Sequence, residues 1–430
     1  MAGESAHFGL RQRPPTPAIR SFELPPRMQP MLDRARAGLA EPFHGIGTGP
    51  GGAITPGIFT TGESGVSLAP LVAAARAFLA SLPASQRQAA SRFAIGDDAW
   101  RQWSNIHPWL MRHGVCLADL GQDQRNAALG LMRESLSAAG YQLALDIMRL
   151  NEHALEITGK PEEYSEWFYW VSIFGTPSPD EPWGFQLDGH HLNLNVFVLG
   201  DQLVMTPTFM GSEPVLARFG KYKGTRAFAT EEEAGHALMD ELSDGERQQA
   251  TIGQDLPGEL LTAAFQDNRR IEPAGIRYPD LPREGRERLE ALLCVYTGRI
   301  RRGHDELRWA EVKRHLDATH FAWIGPVDDH SPFYYRILSP VILVEFDHQS
   351  GIVYDNDKPS RDHIHTVVRT PNGNDYGRDL LRQHYAQHDH AALAHAHAHA
   401  TGTPHHHEHG DRHHVGAEGD RCQRRLAGEP

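Results

Sequence analysis

Residues 168–202 read FYWVSIFGTPSPDEPWGFQLDGHHLNLNVFVLGDQ, and residues 319–351 read THFAWIGPVDDHSPFYYRILSPVILVEFDHQSG. The two stretches decide the fold. Each opens with a strand-like aromatic run containing Trp (Trp170, Trp323) and passes through a Gly/Pro/Asp loop. A second aromatic run, a short break and a long apolar run closed by a turn complete each. Residues alternate with a period of two, as a pleated strand requires, and Gly200-Asp201 has hairpin-turn composition. Sliding one stretch over the other sets Gly189 against Ser339 and Asn195 against Glu345, which reads as a duplicated strand unit.

Before and between these groups the pattern is helical. The runs 72–82 and 124–155 place apolar residues at helical spacing, as do the regions near 230–250 and 284–317. LPASQRQAA at 82–90, LGQDQRNAA at 120–128 and LSDGERQQA at 242–250 resemble one another. Each reads as one helix ending and the next beginning, with Ser85, Asp123 or Asp244 near the N-cap. The expected fold is therefore α+β: a helical N-terminal part and a mixed, largely antiparallel sheet with flanking helices. The division is an irregular Gly/Pro-rich segment at 1–66, one domain at 67–390 (helical at 67–157, strand groups at 166–210 and 319–369), and a tail at 391–430. Gly47-Thr-Gly49-Pro-Gly51-Gly52 matches GxGxxG, but no strand precedes it and Pro56 stands where a phosphate-binding helix would run.

Composition narrows the function classes. The 430 residues carry a formal charge of −13 with histidine neutral, which disfavours general nucleic-acid binding. No run approaches the roughly 20 apolar residues of a membrane helix, and Met1–Pro17 has no signal-peptide core. Three widely spaced cysteines fit a reducing compartment, so the expected location is cytoplasmic.

Three motifs agree in order: GHHLNLN at 189–195 behind PWG, YYRILSPVILVEFDHQ at 334–349, and HIHTVVRTPNGNDYGRDLLRQHY at 363–385. Together they resemble the bacterial family called domain of unknown function 3500, over roughly residues 65–390. The resemblance implies no activity, so chemistry must come from the residues.

Histidine is that chemistry, with 27 copies. His363 and His365 lie two apart and share a strand face with Val367 and Arg369. In the other motif His191, Asn193 and Asn195 share a face, while Leu192, Leu194 and Val196 fill the opposite one. Imidazoles on a buried strand need partners, and neutral imidazoles are metal ligands. The candidate metal residues are His190, His191, His363 and His365, with Zn favoured and Fe or Ni as alternatives. Glu345, at the end of the apolar VILVEFDH strand, and Arg369 are the candidate catalytic residues. Asn193, Asn195, Arg336 and Tyr376 are candidates for substrate binding. Guanidinium groups match carboxylates and phosphates, so the expected partner is a small anionic substrate. A structural pairing of Arg369 with Asp375 is the competing reading. Trp100, Trp103 and Trp109 read as packing residues or as pocket walls.

The tail loses its apolar content, and its clustered imidazoles bind metals without a preformed site. His395, His397, His399, His405, His406, His407 and His409 are the candidate tail ligands. The leading function is a divalent-metal-dependent enzyme, hydrolytic rather than an oxygenase. A non-catalytic metal chaperone or buffer using the tail, and a metal-free ligand-binding protein, are the alternatives.

Overall fold

A computed structural model describes residues 29–105 and 112–388. Trp109 and the histidine tail fall outside the described residues. The first helix, α1 (Gln29–Ala40), lies in the stretch expected to be irregular. The chain then builds α2 (Ala69–Ser81), α3 (Ala84–Ser91), β1 (Val115–Cys116), α4 (Gln122–Ser135) and α5 (Ala138–Thr158). Strands β2 (Tyr169–Phe174), β3 (Trp183–Gly189), β4 (Leu192–Leu199), β5 (Gln202–Val204) and β6 (Thr208–Ser212) follow. The order then repeats: α6 (Ala229–Glu241), α7 (Asp244–Ala250), β7 (Thr251–Gly253), β8 (Ile276–Arg277), α8 (Arg283–Thr297) and α9 (His304–Lys313). Next come β9 (His320–Ile324), β10 (Tyr334–Leu338), β11 (Leu343–His348), β12 (Ile364–Arg369) and a last helix, α10 (Arg378–Gln387).

The fold is α+β, with one mixed sheet of twelve strands ordered β1-β2-β3-β4-β6-β12-β11-β10-β9-β7; β5 pairs with β4 and β8 with β9. All pairings between these strands are antiparallel except β7 with β9. Each half is a meander, β2-β3-β4 or β9-β10-β11, and the fourth strand of each, β6 or β12, meets its counterpart at the centre. Strand registers agree with the alignment of the two sequence stretches. Gln186 lies opposite Asn195, and Arg336 opposite Glu345. Counting outward along both halves makes the central Thr208–Val368 pair the point about which they exchange.

The equivalence extends beyond the strands. α2, α3, β1, α4 and α5 have the same order and strand partners as α6, α7, β8, α8 and α9; β1 pairs with β2 as β8 pairs with β9. LPASQRQAA and LSDGERQQA therefore open equivalent helices, α3 and α7, which goes beyond the recurring helix–turn packing read from them. Their caps sit one or two residues earlier than expected. Ser243 and Glu246 form a capping box on α7, Gly121 precedes α4 and Pro83 precedes α3.

Strands β2, β3, β4, β6, β10, β11 and β12 are buried along their whole length. One sheet face carries Leu192, Leu194, Val196, Met210, Ile364 and Phe346 into the main core, together with buried side chains of α5, α6 and α8. Fully burying a side chain of this size stabilises by about 1.5–3 kcal/mol. The other face holds the polar strand residues. Two loops cover it, one within 92–105 and one within 254–275. Arg101 of the first donates to Asp267 of the second at 2.9 Å, with both side chains 1% exposed. Cys116 and Cys294 are both buried; the Cys116 thiol faces Trp167 O at 3.7 Å, and Cys294 lies in the main core.

Candidate metal centre

His191 occupies the tight connection between β3 and β4 and has φ +62°. A non-glycine residue pays about 1–2 kcal/mol for this left-handed conformation. The turn is held from both sides: His191 N donates to Asn105 O at 3.2 Å, and Gly211 N donates to His191 O at 2.8 Å. His365 stands on β12 with Gly211 of β6 opposite it. A Cβ at Gly211 would lie 3.0 Å from His365 Cδ2 and 2.7 Å from Ile364 O, so glycine leaves room for the ring. His363 just precedes β12, with its backbone tied to Gln349 and Ser360.

These three imidazoles converge. His363 Nε2 is 3.1 Å from His191 Nε2 and 2.9 Å from His365 Nε2. They form the single group of three or more His, Cys, Asp or Glu residues among the described residues whose ligand atoms lie within 4.8 Å of one another. Two nitrogens bound tetrahedrally to one Zn, each about 2.0–2.1 Å from it, would stand about 3.3 Å apart. The observed spacings are close to that value.

The outward nitrogens explain which protons are present. His363 Nδ1 is 2.8 Å from Ser350 O. A carbonyl only accepts, so Nδ1 carries the proton and Nε2 presents its lone pair inward. Glu213 Oε2 stands 3.6 Å from the same Nδ1. His365 Nδ1 has no hydrogen-bond partner and faces Glu259 Oε1 at 3.5 Å. A carbonyl or carboxylate behind the outward nitrogen is the usual support of a metal-bound imidazole. The rings are 4–7% exposed. Burial pushes His363 down to about 4, overcoming the opposing pull of Glu213, so it is neutral at pH 7 as a ligand must be.

The other sequence candidates lie elsewhere. His190 stacks on His191 at 3.9 Å between centroids, but its Nδ1 pairs with Asn151 Oδ1 at 2.8 Å and it lies outside the converging group. Glu345 is tied to the second loop. It accepts from Leu261 N at 3.0 Å, Thr262 N at 2.9 Å, Thr262 Oγ1 at 2.5 Å and Tyr334 OH at 2.8 Å. Arg369 is fully buried between Asp375 at 2.8 Å and Asp267 at 2.7 Å, so the structural pairing is the observed one. Asn195 donates to Pro207 O at 2.8 Å and accepts from Gln186 at 2.6 Å. Asn193, with its amide oriented to suit its neighbours, donates to Ser104 O and Asp188. Tyr376 OH donates to Asp267 at 3.0 Å and accepts from Trp103 Nε1 at 2.9 Å, in a turn ahead of α10. Arg336 is 6% exposed and its Nε has no partner.

Sequence reasoning missed Glu213 and Glu259, and placed Asp347 on the face of Glu345 without assigning it to the site. Asp347 lies directly across from His365, is buried, and has Oδ1 unpartnered. Burial, with Glu259 and Glu345 nearby, raises its pKa well above the carboxylate range. Strand alternation from Glu345 marked Asp347; no local signal marks Glu213 or Glu259, which reach the histidines through tertiary contacts.

Among the described residues no helix is long and apolar enough to cross a membrane. No curated protein and no solved structure matches the chain. A family model described as "Protein of unknown function (DUF3500)" matches residues 64–378. That span takes in both halves of the sheet and all three converging histidines, and the chain belongs to this family.

Proposed function

We propose that the chain is a metal-dependent enzyme in which His191, His363 and His365 hold one divalent cation, Zn in preference to Fe or Ni. The observation that carries this reading is the inward convergence of three Nε2 atoms, with a carbonyl and a carboxylate behind His363 and a carboxylate behind His365. Three protein ligands leave a fourth position for water or substrate, which distinguishes catalytic from structural zinc sites. Among the described residues no fourth His, Cys, Asp or Glu ligand atom joins the group.

A bound divalent cation supplies an activated water at neutral pH, the basis of the hydrolytic reading. Glu259 is the proton carrier we assign. Its side chain is 50% exposed and its carboxylate faces His365. Glu345 positions the second loop through its four accepted hydrogen bonds. The substrate we favour is a small neutral polar molecule. Arg369 is balanced by two aspartates, and the charged groups nearest the triad are carboxylates, so the expected anion preference has no support in this geometry.

Cobalt(II) in the triad tests the reading, in a chain ending at His388 so that the tail cannot contribute. A four-coordinate visible spectrum that shifts on adding azide is expected, because an exchangeable position admits the anion. A spectrum that ignores azide would assign the site to structure or storage.

A further inference from the structure

On the sheet face opposite the triad, a cavity of about 300 Å³ opens between the two halves. Met205 of the first half and Ile342 and Val368 of the second line it, and the central Thr208–Val368 pair forms part of the lining. Leu307, 40% exposed, also lines it. Three guanidinium groups, Arg299, Arg308 and Arg314, and one carboxylate, Glu311, line the cavity. Arg308 is paired with Glu311 and Arg299 with Glu231, so Arg314 is the cation in excess. Three polar atoms of lining residues lack hydrogen-bond partners although buried: Thr297 Oγ1, Arg299 Nη1 and His304 Nδ1. Thr297 and Arg299 can donate to an acceptor, whereas His304, whose Nε2 faces Asp201 O, offers a lone pair. Arg299 Nη2 is held by Glu231, which leaves Nη1 as the unmatched end of the fork.

We propose that this cavity binds a small amphipathic carboxylate. The alkyl part would lie on Met205, Ile342 and Val368, and the carboxylate toward Thr297 and the guanidinium groups. Buried apolar walls with a few placed donors are the usual make-up of a small-ligand site. One guanidinium in excess, Arg314, together with the open end of the Arg299 fork, favours an anionic head. A cavity of this volume lies at the small end of the range for small-molecule sites, which suits a medium-chain carboxylate. This site is separate from the metal centre and does not depend on it.

Calorimetric titration of the full chain with octanoate, and with octanol as the neutral match, tests the assignment. One saturable octanoate site is expected, with octanol at least 10-fold weaker. Thr297→Val should weaken octanoate at least 5-fold. Ala310→Trp, which fills the cavity, should abolish binding, while a His363→Ala/His365→Ala variant should bind as the parent does. Leu307→Trp, at an exposed position, decides if Ala310→Trp fails to fold by circular dichroism. Absence of saturable octanoate binding, equal affinity for octanol, or binding undisturbed by the tryptophan variant that folds would overturn the proposal.

Discussion

Replacing Asp267 by alanine removes the carboxylate that joins the two covering loops. Asp267 accepts from Arg101 at 2.9 Å, from Arg369 at 2.7 Å and from Tyr376 OH at 3.0 Å. The side chains of Arg101, Asp267 and Arg369 are at most 1% exposed. Removing one partner of a buried pair costs about 3–5 kcal/mol, because the remaining charge stays out of water. Arg369 keeps Asp375 and Thr262 O, and Arg101 keeps the carbonyls of Gly38, Leu39 and Glu41. Asp375 still balances Arg369, whereas Arg101 is left without a carboxylate, and the expected loss is about 4 kcal/mol. Urea unfolding, followed by tryptophan fluorescence and by far-UV circular dichroism, measures it as a fall in midpoint at constant slope. Adding Arg101→Leu should restore part of the loss by removing the orphaned charge. Metal content should not change. A loss below about 1 kcal/mol for Asp267→Ala would refute the idea that this cluster clamps the loops over the polar face.

Three more outcomes are expected. In metal-free protein, His363 titrates near 4 when folded, against about 6.5 in an unfolded chain. Between these values the unfolded chain binds more protons, so stability is full above pH 6.5 and falls as pH drops to 4, by up to about 3 kcal/mol; a flat difference from His363→Leu across that window would contradict the assignment. Glu345→Gln should cost about 1–3 kcal/mol through weakened bonds to Thr262, Leu261 and Tyr334, with metal content kept; loss of metal would return Glu345 to the site. Gly211→Ala should weaken metal binding more than folding, because the added methyl crowds the His365 ring; unchanged metal affinity on titration would show that the ring has room to move.

The sheet was legible because its two halves repeat an alternating pattern, and the alignment of Asn195 with Glu345 matches their pairing with Gln186 and Arg336. The helical repeat was not read as part of that duplication, because short helix starts look alike whatever their place in a fold. Alternation also exposed His365 and Arg369 on one face. It could not say what lay above that face. Asp267 lies about 100 residues before Arg369, and only the folded loop shows that it neutralises this cation. Glu345 misled for the same reason: a buried carboxylate must be satisfied, and backbone amides of a distant loop meet the requirement as well as a metal does. His190 and His191 are neighbours in sequence, yet only His191 turns inward with His363 and His365, a difference that a one-residue motif reading does not resolve.

The most direct measurement is the metal content of a chain ending at His388, after chelation and re-addition of Zn, Fe or Ni. The account predicts one equivalent in the parent and none in the His363→Ala/His365→Ala variant, with both equally folded by circular dichroism. Equal metal content in parent and variant would show that the three converging imidazoles are not a metal centre.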